Sequence, residues 1–374
     1  MARILMCGGV TFPGRELVRF LAGRDDVAFV RVADKMMPSI ACLSPEQTAA
    51  FNSDRVEYVQ ADLRMASHVS RAFALPDGAA PFDFVFNLAA ETRCGRPADE
   101  YKMRTLDCAV QVANAALEMG GLTKFIQLSS ACVYANDRKV KRSGACEGDA
   151  TAPWLDAASF QFQAEEALRA IEGLPLIVAR TACVYGPGDE DNLMPRLVCG
   201  RIYLHLRETM RFLWDGKLKL STVHSRDFAA ALWHLAQRGD ISDPVYNIAD
   251  AGDTNQALIA KALNLVFKIK TAFLTSFVTK LAGDITADVN DKHMGPWAEL
   301  CAAASPPIAN TPLTPFMHAE RLGSHHLFVS SRKLQASGFT FAHPTLTAEL
   351  LAESVACAVG IGIFPPFEGG AASK

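Results

Sequence analysis

The sequence lacks the cysteine pattern of a metal site or a disulfide framework. Its ten cysteines stand singly from Cys7 to Cys357, with no CxxC and no cysteine–histidine cluster at zinc-ligand spacing. Reduced, mostly buried thiols and no metal are the expectation. Charge of one dominant sign is missing too: 37 basic against 40 acidic residues leave −3, which argues against a nucleic-acid footprint or a polybasic membrane anchor. Long uncharged apolar runs are also absent. The most apolar helical stretch, Ala257–Leu281, carries Lys261, Lys268, Lys270 and Lys280, so it reads as a lobe helix packed on the body and not as a bilayer span. No signal or transit pattern stands ahead of the opening M-A-R-I-L-M-C-G-G, which is already strand-like, and a soluble cytoplasmic protein without a transmembrane segment is expected. Repeats and low-complexity tracts are not found.

What is present is an ordinary globular composition, 50% hydrophobic and 21% charged, over 374 residues, enough for one large or two intimately packed domains. Short apolar runs alternate with helical patterns through the first half. Ile4–Met6, Phe29–Val32, Val56–Val59, Phe84–Phe86, Phe125–Leu128 and Leu176–Val178 read as strands, with helices near Arg15–Ala22 and Asp107–Met119. That alternation predicts an α/β fold, a doubly wound parallel sheet with both faces covered. The regularity fails after residue 186. The chain is expected to return to the sheet through Ser221–His224, a helix Arg226–Ala236 and Val245–Ile248. Residues 1–185, completed by about 221–250, therefore form the predicted Rossmann domain, and 186–220 with 251–374 an interleaved smaller substrate lobe.

The first strand runs into Cys7-Gly8-Gly9-Val10-Thr11-Phe12-Pro13-Gly14 and then a helix. A glycine-rich turn between strand and helix lets backbone N–H groups meet a pyrophosphate at the positive helix end. Asp34 lies 20 residues past Gly14, at the end of the second strand, where a carboxylate accepts hydrogen bonds from a ribose diol. Its charge opposes a 2′-phosphate, which favours NAD over NADP, and Lys35 sets a positive charge beside it.

These residues bring a resemblance into view. The chain resembles the extended short-chain dehydrogenase/reductases of the NAD-dependent epimerase/dehydratase family, whose fingerprint is GxxGxxG. Gly8 and Gly14 match it, Gly9 is a usual companion, and Thr11 replaces the middle glycine. Ala61-Asp62-Leu63 resembles the motif whose acid receives the adenine amine, and Asn87-Leu88-Ala89-Ala90-Glu91-Thr92 the signature beside the nicotinamide ribose. Leu128–Tyr134 resembles the strand end that carries the catalytic serine, here Ser130. Val184–Gly188, just after Cys183, and Tyr246-Asn247-Ile248 match two later landmarks, and Ser331–Phe339 a looser C-terminal one. The resemblance implies NAD contacts from Gly8, Gly9, Thr11, Phe12, Gly14, Asp34, Asp62, Leu63, Leu88, Ala89, Ala90, Thr92 and Cys183. It implies substrate contacts from Glu91, Ser130, Asn192 and Arg226, with a nucleotide-sugar-like substrate. Glu91 also reads as a solvated loop acid, and His224 as a packed strand-end histidine. Tyr134 reads as core, and Arg180 and Asp227 as residues that pair or cap helices.

The family's proton-transfer run is P-x-x-x-Y-x-x-S-K-x-x-x-E, and Pro153 and Glu165 fit it without a gap. The tyrosine position is then Ala157 and the lysine position Gln161. Alanine has no proton to give, and glutamine has no charge to lower a neighbour's pKa. Ala131-Cys132, where dehydratases of the family place Asp-Glu, implies the epimerase pattern instead. Two functions follow: an NAD-binding family member with atypical or lost proton chemistry, or a catalytically silent NAD(P)-binding subunit or scaffold of a larger complex. The helices Asp107–Met119 and Ser159–Glu172 match those that pair in the family's dimers, so a homodimer is the other assembly implied.

Overall fold

A computed structural model of the chain describes residues 1–239, 243–274 and 285–367. In chain order the strands are β1 (Ala2–Cys7), β2 (Val27–Asp34), β3 (Val56–Gln60), β4 (Phe84–Asn87), β5 (Lys124–Ser130), β6 (Leu176–Thr181), β7 (Cys183–Tyr185), β8 (Met210–Phe212), β9 (Thr222–His224), β10 (Val245–Ile248) and β11 (Thr271–Phe273). The polypeptide divides into two compact units. The first comprises Met1–Ala182, Arg226–Ile248 and Val329–Thr340, and the second Cys183–Ser225, Ala249–Phe328 and Phe341–Lys374.

The first unit is built on a seven-stranded parallel sheet in the order β10-β6-β5-β4-β1-β2-β3. Its central strands bury consecutive residues: Ile4 to Cys7, Val85 and Phe86, Phe125 and Ile126, and Ile177 to Ala179 are all at 0% exposure. Burial of neighbours on both faces requires helices on both sides, which is why these strands read as unbroken apolar runs. The chain winds outward from β1 to β3 and then starts again at β4, on the other side of β1. The carboxyl ends of β1 and β4 therefore open a crevice, the place where such sheets hold ligands.

The second unit carries two small parallel pairs, β7 with β9 and β8 with β11. Its helices include Met194–Leu206, Gln256–Phe267, Ile285–Ala302 and Ala348–Gly360. Two of them pack closely where Gly200 meets Phe267: a methyl group on Gly200 would lie 2.6 Å from the Phe267 ring.

The structure corrects two expectations. Ser221–His224 does not rejoin the large sheet; β9 pairs with β7, and β10 alone returns, alongside β6. The ladder ends where Ala182 N donates to Ile248 O, and the next residue, Cys183, turns its amide to Ser221 O instead. The apolar stretch from Ala257 is not one helix. Lys268 adopts a left-handed conformation (φ 54°) just after Phe267, and β11 follows. The end of that stretch, from residue 275, lies outside the described residues. The unit boundaries also differ from the sequence reading: 221–225 fall in the second unit and 329–340 in the first.

Candidate functional site

The glycine turn closes over the crevice. Gly8 has φ +79°, and a methyl group there would lie 2.8 Å from Ala89 N and 2.9 Å from Ala89 Cα, so only glycine lets β1 pass this close to the loop after β4. Gly14 starts the helix Gly14–Ala22, and a methyl group there would lie 2.7 Å from Gly8 O. Gly9 is buried against Met6 and Val32. Val10 N donates to Asp34 Oδ2 at 3.0 Å and Met36 N to Asp34 Oδ1 at 3.0 Å, which ties the turn to the end of β2. Thr11 is exposed at the crest and Phe12 half-buried beside it. If the turn keeps this shape around a diphosphate, Thr11→Gly should tighten nucleotide binding by removing a β-branched side chain from the approach. A loss of affinity in titration calorimetry would instead assign the threonine hydroxyl a bond to the ligand.

Below the turn lies a cleft of about 110 Å³. That is smaller than the roughly 300–1,000 Å³ of a complete ligand pocket and suits one end of a dinucleotide. Nine of the sequence-predicted residues line it: Gly8, Thr11, Asp34, Asp62, Leu63, Leu88, Ala89, Ala90 and Glu91. Lys35, Ala61, Arg64, Arg104 and Cys108 complete the wall and were not singled out as contacts from the sequence. Burial raises the Asp34 carboxyl above its ordinary pKa, against the pull of its two backbone donors. Asp62 is clasped by Arg64 at 2.5 Å, and that hydrogen bond brings its pKa down to about 2. Glu91 is no solvated acid: it is 4% exposed, with Arg93 at 2.5 Å and Arg104 at 3.5 Å. Burial works against its charge, but Arg93 and Arg104 overcome that and hold the carboxyl below its usual range. Burial pushes the Cys108 thiol up to about 12, so it is a neutral wall residue.

Arg104 and Thr105 reach Glu91 because the chain makes a π-turn over Lys102–Asp107, which Thr105 uses to accept from Glu91 N at 3.0 Å. No period in the sequence marks that turn. Arg64, two residues past Asp62, could have been read from spacing alone.

Ser130 ends β5, and its Oγ accepts from Cys132 N at 3.1 Å. The helix Asp156–Arg169 packs on β5 and on the turn Ala131–Val133. Ala157 and Gln161 stand one turn apart on this helix, 5% and 7% exposed. Gln161 makes no side-chain hydrogen bond among the described residues. Phe160 stacks on Tyr101 with ring centroids 5.7 Å apart.

The rest of that helix is fixed by a buried polar network. Glu165 accepts from Ser129 Oγ at 2.5 Å and from Arg180 Nη2 at 2.6 Å. The Arg180 guanidinium lies 4.8 Å over the Tyr134 ring, and Tyr134 OH donates to Asn247 Oδ1 at 2.7 Å. Asn247 Nδ2 donates in turn to Ala145 O and Ser330 O, and Lys333 Nζ to Val245 O. Tyr134, Glu165, Asn247 and the Ser331–Phe339 segment thus answer to one purpose, locking β5, β6 and β10 beside Ser130.

The remaining candidates are placed apart from the cleft wall. Thr92 is exposed just past Glu91, and Arg226 is half-buried at the start of the helix Ser225–Ala236. Cys183 and Asn192 belong to the second unit, where Asn192 N donates to Asp189 Oδ1 at 2.9 Å. His224 is buried in that unit, its ring tilted by 32° against that of His343 with centroids 4.2 Å apart.

A family model, NAD dependent epimerase/dehydratase family, matches residues 4–249. The chain belongs to that family. The fold is shared with the Bordetella bronchiseptica enzyme WbmG, solved with NAD and UDP: 15% identity, TM-score 0.68, covering 98% of this chain and 97% of that one. A UDP-N-acetylglucosamine 4-epimerase from Methanobrevibacter ruminantium, solved with UDP-N-acetylmuramic acid, gives 17% identity and TM-score 0.67 over 96% and 98%. A dTDP-glucose 4,6-dehydratase from Bacillus anthracis, solved with NAD, gives 15% identity and TM-score 0.66 over 95% of each chain. At these identities the likeness concerns the fold, and it spans epimerase and dehydratase alike. No curated protein matches the sequence. Among the described residues, no helix is long and apolar enough to cross a membrane.

Proposed function

We propose that this protein binds NAD(H) in the crevice of its first unit and takes a sugar nucleotide or similar hydroxyl substrate through its second, with the usual tyrosine–lysine proton relay missing. The carrying observation is the cradle itself: Gly8 and Gly14 sit where a Cβ would clash, and Asp34 stands at the end of β2, tied to Val10 N. These residues fit a dinucleotide. Gly8, Thr11 and the start of the Gly14–Ala22 helix would face the diphosphate, Asp34 the adenosine ribose and Asp62 the adenine. A bound nicotinamide supplies a reversible hydride acceptor. Around it, Ser130 can donate its hydroxyl proton to a substrate oxygen, since its Oγ lone pair already takes Cys132 N. Ala157 moves no proton, and Gln161 offers only a neutral amide.

That last point supports a second reading, a silent NAD(P)-binding subunit of a larger assembly. Mass spectrometry of small molecules retained on the purified protein tests both. A nucleotide sugar alongside NAD favours an enzyme, whereas NAD alone favours the subunit.

NAD(H) is expected to bind more tightly than NADP(H). Asp34→Ala should weaken NAD(H) about ten-fold or more, the usual scale for losing a hydrogen-bonded carboxylate, and should narrow the preference. Calorimetric titration of parent and variant reads both effects. A parent that prefers NADP(H) would refute the assignment.

A further inference from the structure

We propose that the exposed face of the helix Gln256–Phe267, in the second unit, is a docking surface for an anionic lipid bilayer, on which the protein rests without crossing it. This surface is independent of the dinucleotide site and of turnover.

One side of this helix is core: Ile259, Ala260, Leu263 and Phe267 are all buried. The other side leaves Leu258 46% and Leu265 63% exposed, seven residues apart and so on one line along the helix. Lys261 stands between them on the same side, Lys268 closes the helix and Lys270 lies just beyond, all three exposed. No aspartate or glutamate occurs from Thr254 to Phe273. The helix packed against this one, Ala348–Gly360, brings Glu349 and Glu353, and Glu349 is held by Thr347. The three lysines make no ion pair among the described residues. Other lysines of the unit are matched, Lys219 with Asp253 and Lys292 with Glu208 at 2.5 Å.

Two exposed leucines among unpaired lysines stabilise nothing within the chain. A cation at a helix end offsets the backbone dipole, which accounts for Lys268 but not for Lys261 in the middle. An anionic leaflet answers both features at once. The leucines enter the boundary between headgroups and acyl chains, while the lysine stems lie beside them and keep their ammonium groups among the phosphates. A protein partner is a poorer match, since such interfaces centre on aromatic or arginine anchors and this face has neither. A second copy of the chain would set one lysine stripe against another.

The test is co-sedimentation of the full-length protein with phosphatidylcholine vesicles, alone and with phosphatidylserine added, at low and at physiological salt. The parent should bind the phosphatidylserine vesicles more tightly, and salt should weaken that binding. Lys261→Ala should lower the partition coefficient about five-fold, and Lys261→Ala with Lys270→Ala about twenty-fold, the scale of one and two lysines at an anionic surface. Leu265→Ser should lower it about ten-fold, the scale of one leucine withdrawn from an apolar medium, and keep the salt dependence. Lys141 is an exposed lysine of the first unit, and Lys141→Ala should bind as the parent does. Every substituted side chain is exposed, so thermal melts should match the parent's. Failure of the parent to sediment with phosphatidylserine vesicles at low salt overturns the proposal. So does an equal loss in Lys141→Ala, or Leu265→Ser binding as tightly as the parent. A parental dimer that Leu265→Ser dissociates would assign the face to a second copy and overturn it as well.

Discussion

Glu165→Ala is expected to destabilise the protein by about 3–5 kcal/mol, the scale for stripping one partner from a buried ion pair. Glu165 is at 0% exposure and Arg180 at 2%, so the variant would leave a guanidinium buried without its carboxylate. It would also leave Ser129 Oγ without its acceptor and remove the 3.2 Å bond from Arg169 to Glu165 Oε2, leaving Arg169 on Glu166 alone. Replacing both partners with apolar residues of similar volume, Glu165→Leu with Arg180→Met, should recover most of the loss, because the pair's own formation is offset by desolvation. Urea unfolding monitored by circular dichroism measures both. A loss below about 1 kcal/mol in Glu165→Ala would mean that water or another cation reaches Arg180, and the network would no longer explain why β5 holds Ser130 in place.

The sheet was legible in the sequence because its strands are buried on both faces. Ile4–Cys7 and Phe125–Ile126 must be apolar without alternation, and the helices between them need their own amphipathic period. The site was legible where chemistry demands a residue type at a fixed place. Gly8 and Gly14 have backbone where a Cβ would go, and Asp34 must end β2. Pairing is what a local run cannot encode. Thr222–His224 reads as one more sheet strand, and nothing in three residues says that its partner is Cys183–Tyr185. The same limit hid the arginines that pair with Glu91. Arg93 and Arg104 matter because a π-turn and a loop bring them to Glu91, so a residue that read as a solvated acid is a buried, doubly paired one. The segment 329–340 shows this at larger scale: it lies far along the chain, yet Ser330 O accepts from Asn247 and Lys333 reaches Val245 O.

Installing a tyrosine–lysine pair at positions 157 and 161 should have the largest effect on activity. Ala157 and Gln161 stand one turn apart near the start of the helix Asp156–Arg169, the spacing that sets a tyrosine beside a lysine. General acid–base catalysis commonly contributes about 10²–10⁴-fold. Ala157→Tyr with Gln161→Lys is therefore expected to raise the rate of NAD reduction by a nucleotide sugar on that scale, followed optically across a panel of such sugars. Ala157→Tyr alone should gain much less, because a phenol without a neighbouring ammonium keeps a pKa near 10 and is a poor base at neutral pH. The new ring also needs space. Ala157 is 5% exposed and Phe160, three residues on, already stacks on Tyr101, so the variant should cost about 1–3 kcal/mol of stability if no room opens toward the crevice. A thermal melt separates that penalty from the catalytic gain. Brisk turnover by the parent would show that some other group moves the proton, and the assignment of a lost relay would be wrong. Turnover only in the double variant would show that Ser130, the cofactor cradle and the substrate site had remained competent around an erased pair.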